Sequence, residues 1–297
     1  MIPNQYIRTD LAAERRLSSD AKHKVPGIDY SEFQDGSLSI SRLSITDKEG
    51  ENALGKPQGT YITVAFKSIW LMDESEKEHL KSFTGKALKE LILSSHPKPQ
   101  KILTVGLGNH SLTCDAIGPD TASGITVTRQ LSTSEPEIFQ RLNYPETSCL
   151  IPGVSGETGI ESTDLIKCTV DIAKPDLVLA VDALASRSPD RLMRTIQLCN
   201  TGISPGAGVG NKKQSLDKDT LGVPVIAIGV PTVVDSSTLI YDALEKAGIT
   251  ESEIQPELQR ILNNGKNFFV STKECDIEIK ELSAVLSSAI DESLSAL

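Results

Sequence analysis

The stretch that decides the fold is DLVLAVDAL, residues 176–184, an apolar run with one internal charged residue, Asp182. A run of this kind is typical of a strand that is buried on both faces of a parallel sheet. A carboxylate is seldom buried inside such a strand unless it is paired or has a function. Asp182 is therefore the first candidate for a catalytic side chain.

Strand-like and helix-like segments alternate on both sides of this run. The strand-like segments are 101–109, 148–153 and 223–231, and the helix-like segments are 161–173, 235–248 and 276–296. Alternating strands and helices, with strands that are continuously apolar, predict an α/β fold. We expect a mostly parallel sheet with helices on both faces.

The N-terminal third has a different pattern. Residues 1–35 are polar and show no clean period, which indicates a mobile arm. Residues 36–46 and 59–66 are rich in alternating or β-branched residues and predict a pair of strands. Asp73 followed by Glu76 is a capping-box signal for the start of a helix. Because there is no internal repeat or linker, we expect one domain with an N-terminal arm.

Composition excludes several classes of protein. The formal net charge of −10 disfavours direct binding of nucleic acid, whose phosphates such a surface repels. No apolar run is long enough to span a membrane, and the N-terminus lacks the apolar core of a secretory signal. The five cysteines form no CxxC pair, which indicates reduced thiols in the cytoplasm.

Aspartates lie in or after three of the predicted strands, at Asp115, Asp182 and Asp235. In an open parallel sheet, functional groups collect at the carboxyl ends of the strands, so all three are candidates for one site. Asp235 directly precedes a helix-like segment and is better explained as its N-cap. Sequence separation does not show which of these side chains meet.

Two neighbouring carboxyl groups share a proton, because the charge on one raises the pKa of the other. One of them can activate water while the other donates a proton to a scissile amide. The same pair could hold a metal if a histidine joined it, and His110 is the histidine nearest to Asp115 in the sequence. No pair of histidines has the HExxH spacing of a zinc peptidase.

Other motifs carry weaker signals. The GLGN turn at 106–109 lacks the third glycine of a dinucleotide-binding fingerprint. The Gly-rich segments Gly153–Gly159 and Gly206–Gly210 are expected to form tight loops that line the cleft. Cys114 has no obvious histidine partner, and Ser186 lies outside any GxSxG motif, so neither is favoured as a nucleophile.

Several long segments, in order, resemble the germination proteases of spore-forming bacteria, and the likeness covers almost the whole chain. The segments are YIRTDLAAE (6–14), GLGN (106–109), DAIGP (115–119), PGVSGETGIES (152–162), KPDLVLAVDALASRS (174–188), TGISPGAGVGNKK (201–213) and LGVPVIAIGVPTVVD (221–235). The resemblance implies a fold similar to that of the hydrogenase maturation proteases. It also implies an endopeptidase that starts the degradation of small acid-soluble spore proteins during germination.

The resemblance further implies an atypical aspartic mechanism in which Asp115 and Asp182 are catalytic, with no cofactor and no metal. The family is made as an inactive zymogen, and the implied self-cleavage falls between Asp10 and Leu11. Residues 1–10 would then be a propeptide and residues 11–297 a single α/β protease domain. A homotetramer in the cytoplasm of the spore core is implied as well, with no membrane and no direct nucleic-acid partner.

Two positions depart from the family pattern. Cys114 stands where a proline usually precedes the aspartate, and Ser186 replaces an alanine. Two other functions stay open from the sequence. One is a metal-dependent maturation-type protease that uses Asp115, Asp182 and His110. The other is a binding factor that retains the fold and holds a spore protein without cutting it.

Overall fold

The computed structural model describes residues 8–18, 25–206, 214–263 and 268–297. The strands are β1 (Ile28–Asp35), β2 (Leu38–Ile45), β3 (Gly59–Ala65), β4 (Lys101–Gly106), β5 (Glu146–Leu150), β6 (Leu177–Ser186), β7 (Thr195–Cys199), β8 (Val225–Asp235) and β9 (Phe269–Val270). The helices are α1 (Ala12–Ser18), α2 (Lys48–Leu54), α3 (Glu74–Ser95), α4 (Ile117–Ser123), α5 (Arg129–Ser134), α6 (Pro136–Leu142), α7 (Ser155–Thr158), α8 (Ser162–Ala173), α9 (Lys218–Leu221), α10 (Ser236–Lys246), α11 (Pro256–Asn263) and α12 (Cys275–Ser295). None of these helices combines the length and the apolar character needed to cross a membrane.

The strands form one sheet in the order β1-β2-β3-β7-β8-β6-β4-β5, with β9 paired to the end of β8. The strands β5, β4, β6 and β8 pair in parallel. From β8 onward, β7, β3, β2 and β1 continue the sheet with antiparallel pairs. The predicted α/β fold is confirmed, with one difference: the sheet is parallel only over β5, β4, β6 and β8, and β8 is the strand at which its parallel and antiparallel halves meet.

Helices cover both faces of the sheet, as predicted. On the first face, α3, α4 and α12 pack on alternate strand residues, such as Leu179 and Val181 of β6. On the second face, α8 and α9 pack on the intervening residues Val178 and Ala180, and α1 and α2 cover the antiparallel half. Because side chains alternate along a strand, Asp182 belongs to the second face.

Two elements predicted from local sequence patterns are present in the structure. The Asp73 carboxylate accepts a hydrogen bond from the Glu76 amide at 2.9 Å, and the Glu76 carboxylate accepts one from the Asp73 amide at 3.0 Å. This capping box begins α3, the helix predicted after Asp73. The predicted pair of N-terminal strands is also confirmed, since β2 and β3 are antiparallel neighbours.

The expectation of a mobile arm over residues 1–35 is wrong for two segments. Residues Ala12–Ser18 form α1, and Ile28–Asp35 form β1, while 1–7 and 19–24 lie outside the described residues. β1 is an edge strand whose side chains are mostly exposed, so its sequence carries little apolar alternation. The sequence analysis also missed β7, a buried strand of five residues that is too short to show a period.

Helix α4 approaches the sheet so closely that Gly118 has no room for a side chain. A Cβ atom there would lie 2.1 Å from the Leu107 carbonyl oxygen and 2.5 Å from the Val181 carbonyl oxygen. We expect Gly118→Ala to lower the free energy of unfolding by about 1–3 kcal/mol, because the backbone must shift to admit the methyl group. Chemical denaturation of the purified chain measures this change.

Gly156→Ala is the matched control, because no atom lies within 4 Å of the added methyl group in α7. Its free energy of unfolding should stay close to that of the unchanged chain. Equal stability of the two variants would contradict the close approach of α4 to the sheet.

Candidate active site

Asp182 lies inside β6 and is only 5% exposed. It is in register with Gly229 of β8. Its Oδ1 atom accepts a hydrogen bond from the Ala183 amide at 2.9 Å. Asp182 lines a cavity of about 450 Å³ on the second face of the sheet. The structure thus places this predicted site residue at a cavity, where a substrate can reach it.

Asp115 ends a short 3-10 turn, Thr113–Asp115, in the connection between β4 and α4. The Asn109 amide donates to the Asp115 side chain at 2.8 Å and to the Asp115 carbonyl oxygen at 3.1 Å. Gly108 has a φ of +120°, and a Cβ atom on it would lie 2.1 Å from that carbonyl oxygen. The GLGN turn therefore holds Asp115 by close backbone contact, which requires glycine at position 108.

The turn that carries Asp115 is joined to the strand that carries Asp182. The Leu107 amide donates to the Val181 carbonyl oxygen at 2.8 Å, one residue before Asp182. The Thr232 hydroxyl of β8 donates to the Cys114 carbonyl oxygen at 2.6 Å, one residue before Asp115. The sharing of a proton between the two aspartates stays a prediction.

The environment of Cys114 does not favour the thiolate form that a nucleophile requires. Burial raises the pKa of its thiol, and the nearby Cys275 and Asp115 add to the shift. Since the thiolate is the nucleophilic form, a raised pKa keeps Cys114 in the unreactive thiol form near neutral pH.

Asp235 caps α10, as the sequence suggested. Its Oδ1 atom accepts a hydrogen bond from the Thr238 amide at 3.0 Å. Its Oδ2 atom lies 3.3 Å from the Arg8 guanidinium, and the Arg8 amide donates to the Thr238 hydroxyl at 3.0 Å. The cap therefore also holds the N-terminal segment of the chain.

The His110 side chain is mostly exposed, and its Nδ1 atom lies 2.7 Å from Oδ1 of Asp120. Across the described ranges, no group of three or more His, Cys, Asp or Glu side chains is close enough together to hold a metal ion. The structure therefore gives no support to a joint site of Asp115, Asp182 and His110.

The two Gly-rich segments differ in their position relative to the cavity at Asp182. None of residues 153–159 is among the described residues that line the cavity at Asp182. Residues 201–204, Ser215 and Asp217 contribute to its wall. Residues 207–213, which hold most of the second Gly-rich segment, lie outside the described residues.

The N-terminal segment enters the same cavity. The Asp10 amide donates to the Ala185 carbonyl oxygen at 2.9 Å, and the Ala185 amide donates to the Asp10 carboxylate at 2.9 Å. The Asp10 carbonyl oxygen accepts hydrogen bonds from Lys56 Nζ at 2.8 Å and Gln197 Nε2 at 3.4 Å. Asp10 and Asp182 both line the cavity.

The residues after Asp10 are buried against the sheet. Leu11 and Ala12 have no exposed surface. The Ala12 amide donates to Gln197 Oε1 at 2.7 Å. Ala12 begins α1 and packs in the apolar cluster between this helix and the antiparallel strands. The chain is thus buried directly after the Asp10–Leu11 bond.

Glu14 is another acid of this segment, and it is buried, at 3% exposure. Its carboxylate accepts hydrogen bonds from the amides of Arg187 and Ser188 at 2.8 and 3.1 Å. The Arg191 side chain forms an ion pair with it at 3.3 Å. These donors satisfy a charge that would otherwise be costly to bury.

Lys56, Gln197 and Glu14 were not predicted from the sequence as residues around Asp10. A signal existed for Gln197, because it is the one polar side chain in the buried run Ile196–Cys199. A similar signal did not exist for Lys56, which follows a surface helix in a polar stretch.

The sequence of the chain is similar to those of known proteins of one family. A model of the germination protease family matches residues 7–247. The germination protease of Caldanaerobacter subterraneus subsp. tengcongensis is 39% identical, over 97% of this chain and 94% of that protein. The germination protease of Bacillus subtilis is 42% identical, over 82% of this chain and 67% of that protein.

Among solved structures, a NiFe hydrogenase maturation protease from Thermococcus kodakarensis KOD1 is similar to this chain with a TM-score of 0.37 and 15% identity. The match covers 69% of this chain and 98% of that one, and it is too distant to carry an argument. The family match and the identity to the relatives decide the assignment. The chain belongs to the germination protease family and is a peptidase.

Proposed function

We propose that this peptidase starts the degradation of small acid-soluble spore proteins during germination and is made as a zymogen that cleaves its own Asp10–Leu11 bond. One observation carries the proposal: Asp10 lines the cavity that Asp182 also lines, and the backbone on both sides of the bond is hydrogen-bonded, the Asp10 carbonyl oxygen to Lys56 and the Ala12 amide to Gln197. Residues 1–10 are the propeptide in this proposal, and 11–297 form the protease domain.

The contacts of Asp10 and Leu11 support a preference for an acid followed by an apolar residue. The Asp10 carboxylate accepts the Ala185 amide, and the Asp10 backbone adds a bond to the same residue. Leu11 is fully buried, so a polar side chain at its position would lose its hydration. A spore protein with the same two residue types can bind in the same way.

The proposed chemistry uses Asp115 and Asp182. One carboxylate accepts a proton from water, which then attacks the scissile carbonyl carbon, and the other carboxyl group donates a proton to the leaving amide nitrogen. The position of Asp182 in the wall of the cavity that Asp10 also lines supports the role of Asp182, and the role of Asp115 rests on the family resemblance. We further propose a homotetramer in the spore-core cytoplasm that acts on proteins without a cofactor.

Asp115→Asn and Asp182→Asn should each abolish self-cleavage and the cleavage of a purified small acid-soluble spore protein. The amide cannot accept or donate the proton, and loss of general acid–base catalysis lowers rates by about 10²–10⁴-fold. Intact mass of the chain and gel analysis of the substrate measure the two reactions.

Asp171→Asn is the matched control, because Asp171 is exposed on α8, outside the cavity. It should cleave at the rate of the unchanged chain. Full activity of either Asp115→Asn or Asp182→Asn would contradict the mechanism. If the unchanged chain binds the spore protein and leaves it intact, the chain is a binding factor.

Asp10→Ala should slow self-cleavage by about 10- to 100-fold. The substitution removes the acceptor of the Ala185 amide, and a hydrogen bond to a charged group contributes roughly 1.5–3 kcal/mol. Intact mass over time gives the rate, and Asp29→Ala on the exposed edge strand is the control. Unchanged cleavage of the Asp10→Ala chain would contradict the proposed binding of the acid.

Dialysis of the peptidase against a chelator should leave its activity unchanged. The reason is the donor set: His110 pairs with Asp120, and the described acids form no three-ligand group with it. Activity on the spore protein and metal content are measured before and after dialysis. A loss that zinc or another divalent ion restores would favour the metal-dependent maturation-type protease instead.

A further inference from the structure

The carbonyl oxygen of Asp10 accepts hydrogen bonds from two side chains of distant parts of the chain. Lys56 follows α2 and Gln197 lies in β7, and they donate at 2.8 and 3.4 Å. Under the proposed function, on which this inference rests, that carbonyl belongs to the bond that is cut. Water attack places a negative charge on its oxygen.

Gln197 contacts the backbone on both sides of the scissile bond. Its Nε2 atom donates to the Asp10 carbonyl oxygen, and its Oε1 atom accepts the Ala12 amide at 2.7 Å. Gln197 is in register with Gly229 of β8, which is in register with Asp182 of β6. The three residues form one row across neighbouring strands that are each about 4.8 Å apart, so Gln197 and Asp182 face the same segment.

Lys56 is positioned by the end of α2 and by β3. Gly55 caps α2 in the left-handed conformation, with φ of 62°, and its amide donates to the Glu51 carbonyl oxygen. The Tyr61 hydroxyl donates to the Pro57 carbonyl oxygen at 2.8 Å. These contacts fix the backbone on both sides of Lys56 and direct its ammonium group to Asp10.

We propose that Lys56 is a catalytic residue of this peptidase, which together with Gln197 binds the scissile carbonyl oxygen and stabilises the charge that develops on it. This assigns a third functional group to the site, in addition to the two aspartates. Gln197 also positions the residue after the leaving nitrogen by holding the Ala12 amide.

In the self-cleavage, water adds to the Asp10 carbonyl group and the Leu11 amine departs. The water oxygen bonds to the Asp10 carbonyl carbon while one aspartate takes a water proton, and the carbonyl π pair moves onto the oxygen. Lys56 and Gln197 donate hydrogen bonds to this oxyanion. Its collapse re-forms the carbonyl and breaks the bond to the Leu11 nitrogen, which takes a proton from the other aspartate. Lys56 keeps its proton throughout.

Burial and neighbouring charges shift the pKa of Lys56. Burial lowers the pKa of its ammonium group, and the negative charge of Asp10 opposes this effect. A cation that is removed from water interacts more strongly with a developing oxyanion. Among the residues that the structure describes, the other titratable groups at Lys56 and around the cavity are Arg8, Arg15, Tyr61, Asp182, Cys199 and Asp217.

The test compares self-cleavage of four full-length chains: unchanged, Lys56→Met, Lys56→Arg and Lys48→Met. Loss of one oxyanion donor lowers a rate by about 10²–10³-fold, and we expect that loss for Lys56→Met. Lys48→Met is the matched control, because Lys48 is exposed at the start of α2, the helix that precedes Lys56, and pairs with Glu51. Intact mass follows the reaction, and thermal melting shows that each chain is folded.

The pH profile separates a catalytic cation from a structural lysine. The unchanged chain should lose activity as the pH rises through the lowered pKa of Lys56, because the ammonium group then loses its proton. Lys56→Arg should keep part of the activity and retain it to higher pH, since a guanidinium stays charged. This variant also carries the test if Lys56→Met does not fold.

The outcomes distinguish this proposal from the proposed function. If the unchanged chain cleaves itself and Lys56→Met does so at an equal or faster rate, this proposal alone is overturned. A faster rate would show that Lys56 inhibits the cleavage. An unshifted alkaline limb in Lys56→Arg also overturns it. Failure of the unchanged chain to cut after Asp10, or cutting by Asp182→Asn, overturns the proposed function first, and this proposal with it.

Discussion

The contact between Asp10 and Ala185 is the interaction on which the site depends. Both hydrogen-bonding groups of the Ala185 backbone bind Asp10, one to its amide and one to its carboxylate. The register between β6 and β8 shifts between Leu184 and Ala185, immediately at this contact. A bulge of this kind redirects backbone groups that a regular ladder would use, and here they bind the N-terminal segment.

The site lies where the two halves of the sheet meet. β8 pairs in parallel with β6 and antiparallel with β7, and Gly229 is the residue in register with both Asp182 and Gln197. In α/β sheets, sites commonly form where the connections change direction, because the chain leaves a crevice there. In this protein the change from parallel to antiparallel pairing brings a carboxylate and an amide side chain into one row.

Contacts with buried carboxylates hold the N-terminal segment on both sides of Asp10. Before it, Arg8 pairs with Asp235, the cap of α10. After it, Glu14 is surrounded by donors from the loop that follows β6. A buried charge without such partners would be costly, so the segment and its binding groups stabilise each other.

Much of the fold follows from local patterns in the sequence, whereas the composition of the site does not. The apolar runs of β4, β6 and β8, the capping box at Asp73 and the cap at Asp235 depend on neighbouring residues, so the sequence alone determined them. It also marked Asp182 as unusual, but only family resemblance paired it with Asp115. The grouping of Lys56 and Gln197 around Asp10 was decided by the tertiary structure, because strand register and antiparallel pairing join residues whose separation in the sequence carries no signal.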